Sequence, residues 1–175
     1  MDKLLIGIKS TMETPNERLI SSVERNNIAE VQRIVVVERA EVNQCGYMTP
    51  LIKAINNGNS EMVKELLRLG ADVNFMSELG CPIHYACSSN KFFLVYSLVK
   101  AGADVNARDS LDRTPLRIAI ENYENFLHEN LPRMEIEKKR RICLKIMRYL
   151  FTKDDNKELY QDIPPETFIY KYQYP

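Results

Sequence analysis

TPLIKAINNGNSEMVKELLRLGADVN, residues 49–74, is followed by CPIHYACSSNKFFLVYSLVKAGADVN, residues 81–106, which repeats it 32 positions later. Proline stands second in both stretches, at Pro50 and Pro82, and GADVN closes both. A third opening, TPLRIAIEN at residues 114–122, places Pro115 another 33 residues on. Between these landmarks Leu51, Ile83 and Leu116 share a position, as do Ala54, Ala86 and Ala119. Val63 matches Val95, and Leu66 and Leu67 match Leu98 and Val99. Self-similarity at this period marks a stack of like supersecondary units.

A fainter copy lies upstream. In LISSVERNNIAEVQRIVVVERAEVN, residues 19–43, Leu19, Val23, Val31, Ile34 and Val35 fall in register with Leu51, Ile55, Val63, Leu66 and Leu67. Its opening lacks a Thr-Pro pair in that register, as suits an atypical terminal unit. Thr49 or Thr114 can cap a helix whose first position is proline, where a missing N–H is harmless. An Asn/Gly break then turns the chain into a more aliphatic helix, which Gly70 or Gly102 ends in a left-handed conformation. One such pair cannot bury its apolar face alone, whereas a stack can.

The period, the Thr-Pro-Leu openings, His84 in one unit and the GADVN endings together resemble the ankyrin-repeat family. The resemblance implies an all-α solenoid of about four helix-pair units with an enlarged C-terminal unit. It divides the chain into an N-terminal segment (1–16), repeats at about 17–48, 49–80, 81–113 and 114–155, and an aromatic tail (156–175). Departures are visible: the motif histidine is Ile52 in one unit and Arg117 in another, and the turn before Pro115 is longer than those before Pro50 and Pro82.

In the fourth unit Leu150 takes the place of Val99 at a separation of 51, so about eighteen residues are inserted between the paired helices. Ile142, Ile146 and Leu150 form one helical stripe, flanked by Cys143 and Met147, which predicts two lengthened helices with a break near Pro132. KKRR, residues 138–141, reads as the solvated start of an amphipathic helix, with an import signal or an acidic-partner contact as alternatives. In the tail, Pro164 and Pro165 end any helix, and Phe168, Tyr170, Tyr172 and Tyr174 then alternate onto one face of an extended segment. Those rings either cover the end of the stack or bind a partner, and Leu4, Leu5, Ile6 and Ile8 pose the same choice at the other end.

CPIHYAC, residues 81–87, invites a metal reading, because Cys81, His84 and Cys87 at three-residue steps could share a helix face. A zinc site needs a fourth ligand, for which Cys45 is a remote candidate. Register points elsewhere: Cys81 stands with Thr49 and Thr114, and Cys87 with Ile55 and Ile120. The family resemblance gives His84 hydrogen bonds that tie neighbouring turns. The expectation is scaffold, with no metal and no cofactor.

The bulk properties agree with a binding module. With 175 residues, 45% apolar and 27% charged, the chain suits one soluble domain. Lys+Arg and Asp+Glu both number 24, so no net charge steers it to nucleic acid or membrane. No apolar run spans a bilayer, the start MDKLLIGIKS does not read as a secretory signal, and four cysteines suit reduced thiols. The expected location is cytoplasmic, with the nucleus as alternative. His84 and His128 have no nucleophile or carboxylate at useful spacing, and no phosphate loop or Cys-x-x-Cys pair occurs, so an enzyme is not expected. Positive charge gathers in residues 138–148 without interleaved aromatic residues, which argues against nucleic acid.

The resemblance implies a partner surface on the turn tips and first helices. Its candidates are Tyr47 and Met48 in the first turn, Phe75, Met76 and Leu79 in the second, and Arg108, Leu111 and Arg113 in the third. Apolar residues in short turns either form such a surface or pack tip to tip. The implied role is a regulatory subunit or inhibitor of a protein partner such as a protein kinase or transcription factor, as monomer or hetero-complex subunit. The alternative is an adaptor bridging two proteins through the repeats and the tail.

Overall fold

The computed structural model describes residues 13–43, 48–126 and 128–153. Its helices, in chain order, are α1 (Pro15–Glu24), α2 (Ile28–Val36), α3 (Pro50–Asn56), α4 (Ser60–Arg68), α5 (Pro82–Ser88), α6 (Phe92–Lys100), α7 (Pro115–Asn125) and α8 (Arg133–Lys153). Among the described residues the only extended pairing is an isolated bridge between Ser77 and Gly80. The candidates Tyr47 and Cys45, the apolar residues at positions 4–8 and the aromatic tail lie outside the described residues.

Every odd-numbered helix opens on proline behind a capping residue. The hydroxyls of Thr14, Thr49 and Thr114 accept from the N–H groups of Glu17, Ile52 and Arg117. The first unit therefore does have its Thr-Pro pair, but at Thr14 and Pro15, one turn earlier than register places it. Glu17 completes a capping box by accepting from Thr14 N–H at 2.7 Å, and α1 gains a turn over α3 and α5.

In the second and third units both turns follow one backbone recipe. After α4, Gly70 N–H donates to Leu67 O and Ala71 N–H to Leu66 O, with Gly70 at φ +91°; Gly102 and Ala103 do the same after α6. Between the paired helices the left-handed residue is Asn26, Gly58 or Asn90, and the next residue, Asn27, Asn59 or Lys91, is also the N-cap of the second helix. Asn27 and Asn59 each accept a backbone N–H at 3.1 Å, whereas Lys91 has no acceptor to offer. Lys91→Asn is expected to stabilise the protein by about 0.5–1 kcal/mol in urea denaturation. An unchanged midpoint would show that the start of α6 is already satisfied by water.

The helices stack in two layers. α1, α3, α5 and α7 adjoin in sequence, as do α4, α6 and α8, and Gln32 of α2 reaches Glu65 of α4 at 2.8 Å. One continuous apolar core runs from Leu19 to Leu150. Its first-helix side carries Ala54, Ala86 and Ala119, all buried, and Ser22 occupies their register position in α1. Small side chains there let the first helices approach one another.

The enlarged unit has the form that the stripe predicts. α7 and α8 have 11 and 21 residues, against 7 and 9 in the preceding pair, and Cys143, Ile146, Met147 and Leu150 are buried. The added first half of α8 lies against the α5–α6 turn, where Asn90 donates to Lys139 O at 3.1 Å and Cys143 Sγ donates to Asn90 Oδ1. The basic run is not the start of this helix, which begins at Arg133. Lys139 pairs with Glu129 at 2.7 Å and Arg140 lies over the Tyr123 ring at 4.2 Å, while Lys138 and Arg141 face solvent.

Candidate protein-binding surface

The turns that follow the second helices are tied into a ladder. Asn43 Oδ1 accepts from Asp72 N–H at 2.7 Å and its amide donates to Gly70 O. Asn74 repeats the bridge one unit later, to Asp104 N–H at 2.9 Å and Gly102 O at 3.1 Å. Asn43, which closes AEVN, and Asn74, which closes the first GADVN, thus share a physical role: they fix the spacing of successive turns. A hydrogen-bonded base of this kind holds the tips rigidly for whatever binds them.

CPIHYAC supplies the next rung. Cys81 is the N-cap of α5, its Sγ directed to Asn74 O at 3.5 Å. His84 Nδ1 accepts from Cys81 N–H at 3.1 Å, so the proton sits on Nε2, which donates to Ala107 O at 3.0 Å in the next turn. Gly80, at φ +135°, lies against this ring, and a Cβ there would meet Asp109 Cβ at 3.0 Å and His84 Nδ1 at 3.1 Å. Cys87 is fully buried.

None of these thiols is set up for chemistry. Burial, aided by Asp104 and Asp72, pushes the Cys81 thiol up; burial raises Cys87 further, and pushes Cys143 up to about 12. All three stay protonated at neutral pH. Among the described residues no cluster of three or more His, Cys, Asp or Glu could hold a metal ion, and no helix is long and apolar enough to cross a membrane.

The third turn is built around Asp109. Its Oδ1 accepts from the N–H groups of Leu111 and Arg113, each at 2.9 Å, and its Oδ2 accepts from Arg113 Nε and Nη2 at 2.9 and 2.8 Å. Arg113 also reaches Glu121 at 3.0 Å. Burial works to raise the Asp109 carboxyl, but these hydrogen bonds and the guanidinium charge outweigh it and hold the group below its ordinary value. A depressed folded-state value means that the stabilisation is complete above the unfolded value, near 4, and lost as pH falls through the folded one. Asp109→Asn is therefore expected to cost about 2 kcal/mol at neutral pH. The deficit should shrink as thermal melts are taken from pH 6 toward pH 3, and a constant deficit would contradict this electrostatic role.

The candidate residues separate accordingly. Arg113 is half-buried and committed to Asp109 and Glu121, while Arg108 is exposed and pairs with Asp112 at 2.9 Å. Phe75 is half-buried. Met48, Met76, Leu79 and Leu111 are exposed, the last two at 64% and 68%. Tip-to-tip packing does not take up Met76, Leu79 or Leu111. The second and third turns adjoin through His84, Ala107, Gly80 and Asp109, so their tips form one neighbourhood.

A further exposed set escaped the sequence reading. Phe93 and Tyr96 project from α6 at 75% and 42% exposure. In register these positions are Glu61 and Lys64 of α4. The signal was present: aromatic residues stand where the sister helix is charged.

Two layers of helix pairs on a 32- to 33-residue period, with rigid turns at one edge, define a helix-pair repeat scaffold whose working part is its surface. Residues 19–109 match the family described as ankyrin repeats (3 copies), more than half of the chain. The chain belongs to the ankyrin-repeat family, whose members bind other proteins and are generally not enzymes. It is 28% identical over 118 residues to human protein phosphatase 1 regulatory subunit 27, a match covering 65% of this chain and 76% of that protein. It is 33% identical over 84 residues to mouse ankyrin repeat and SOCS box protein 5, covering 47% of this chain and 25% of the relative. With human 2-5A-dependent ribonuclease the identity is 38% over 71 residues, 39% of this chain and 10% of the relative. The chain thus spans most of the first relative and only a small part of the other two.

Proposed function

We propose that this chain is a non-catalytic regulatory subunit or inhibitor that holds one protein partner on the tips of its second and third turns. The observation that carries this reading is the exposure of Met76, Leu79 and Leu111 together, where turn residues are ordinarily polar. Apolar side chains on a rigid, hydrogen-bonded base bind with little ordering cost. The regulatory reading draws support from the similarity to a phosphatase regulatory subunit, most of whose length this chain spans. Phosphatases therefore join kinases and transcription factors as partner classes. The cytoplasm or nucleus is the proposed setting, in keeping with three free, buried thiols.

Met76→Ser/Leu79→Ser/Leu111→Ser tests the proposal. All three side chains are exposed, so the helical spectrum and melting temperature should hold within the small range usual for surface changes. Loss of even one hot spot of about 2 kcal/mol weakens binding roughly thirtyfold. Affinity capture from native extract, quantified by mass spectrometry, should lose the main partner with the triple variant. Equal recovery of that partner by both proteins would overturn the turn-tip surface.

A further inference from the structure

The second-helix layer carries a face that the turn-tip proposal does not use. Phe92 and Tyr96 of α6 gather with Tyr149 of α8, ring centroids 5.4–6.5 Å apart, and Phe93 extends the patch into solvent. The hydroxyl of Tyr149 is buried without a hydrogen-bond partner. Lys100 and Lys145 lie over the rings of Tyr96 and Phe92 at 5.8 and 5.6 Å, cation on aromatic face.

The charge of this region departs from that of the chain. Residues 91–100 and 143–153, which form this face, contain five Lys or Arg and no Asp or Glu, in a sequence where the two signs balance at 24 each. None of these five has an ion pair with another of the described residues, and Lys100, Lys145 and Arg148 are exposed. An aromatic, basic face calls for a partner that is acidic and offers rings or apolar groups.

The same chain contains a segment of that chemistry. Residues 154–175 carry five acids against two lysines, together with Tyr160, Phe168, Tyr170, Tyr172 and Tyr174. They follow directly on Lys153, the last residue of α8, and Tyr149 stands about one helical turn before it. Twenty-two residues can span at most about 70 Å, far more than the patch requires. Tethering supplies an effective concentration in the millimolar range for a short linker, so a contact too weak to form between molecules is populated within one.

We infer that the basic aromatic face of α6 and the C-terminal half of α8 is the docking site of the chain's own acidic, tyrosine-rich segment, residues 154–175. Docking would cover Phe93 and Tyr96 and leave the turn tips open. The segment then completes the scaffold and is not a second partner-binding arm.

Limited trypsin digestion of the full chain tests this, because Lys157 and Lys171 lie within the segment. Cleavage at both should be slow in the unaltered protein. Phe93→Ser/Tyr96→Ser, and separately Lys100→Glu/Lys145→Glu, should each speed it about tenfold, as the undocked population rises. Exposed positions and an unchanged helical spectrum guard against misfolding as the cause, and the charge-reversal pair tests the face without truncating any ring. Equal cleavage rates in all three proteins would overturn the inference. Protection that grows with protein concentration would overturn it too, in favour of a second copy on this face.

Discussion

His84→Leu is expected to lower the free energy of unfolding by about 3 kcal/mol, although leucine is apolar and of similar bulk. The imidazole satisfies two backbone groups at once, the buried Cys81 N–H and the half-buried Ala107 O, in adjoining turns. Leucine offers neither an acceptor nor a donor, and each orphaned group costs about 1–3 kcal/mol. The side chain is 2% exposed, so water cannot readily replace the ring. A second consequence concerns the turn tips. Without the rung from His84 to Ala107 the third turn loses a tie to the second, so amide exchange in residues 107–113 should quicken more than in α3 or α4. If urea denaturation shows a loss below about 0.5 kcal/mol, the histidine is a passenger and the ladder is held by its asparagines.

Ala86→Leu should cost about as much, by overpacking. Ala86 is fully buried on α5, whose neighbours in the first-helix layer are α3 and α7. Three added carbons have no space to enter, so the helices must separate or the side chain must leave its rotamer wells, at about 1–3 kcal/mol. The strain falls at the middle of the stack and should lower the single unfolding midpoint of the whole protein. An unchanged midpoint would place Ala86 away from the seam. Ala54, on a helix flanked by α1 and α5, should respond alike, whereas α1 and α7, which carry Ser22 and Ala119, each have one neighbour in that layer among the described helices.

What could be read from the sequence was what repeats. The pairing of Leu51 with Ile83, of Ala54 with Ala86 and of Thr49 with Cys81 depends on one backbone recipe applied again, so register alone placed those residues in the core, the seam and the caps. The lengthened helices of the last unit followed from periodicity, because Ile146 and Leu150 keep step with the core even where the spacing breaks. Thr14 and Pro15 show the limit of strict register: the chain kept the capping pair and moved it by a turn.

Contacts that no repeated position encodes were harder to see. The work of Asn43 and Asn74 lies in the following turn, and Arg113, read as a tip residue, folds back on Asp109 within its own turn. Lys139 and Arg140 read as solvated charge, yet a helix longer than its neighbours finds Glu129 and Tyr123 against it. Phe93 and Tyr96 were missed for a different reason. They lie beside Leu94, Val95 and Leu98 in an aliphatic run, and only comparison with Glu61 and Lys64 separates the exposed positions from the core.

Hydrogen exchange of the full chain, free and saturated with the captured partner, tests most directly whether the tips of the second and third turns hold that partner. Burial of Met76, Leu79 and Leu111 should slow exchange in residues 75–80 and 107–113, with little change in α6 or α8. Protection confined to α6 and α8, with the two turns exchanging as in the free protein, would contradict it and move the binding surface to the second-helix layer.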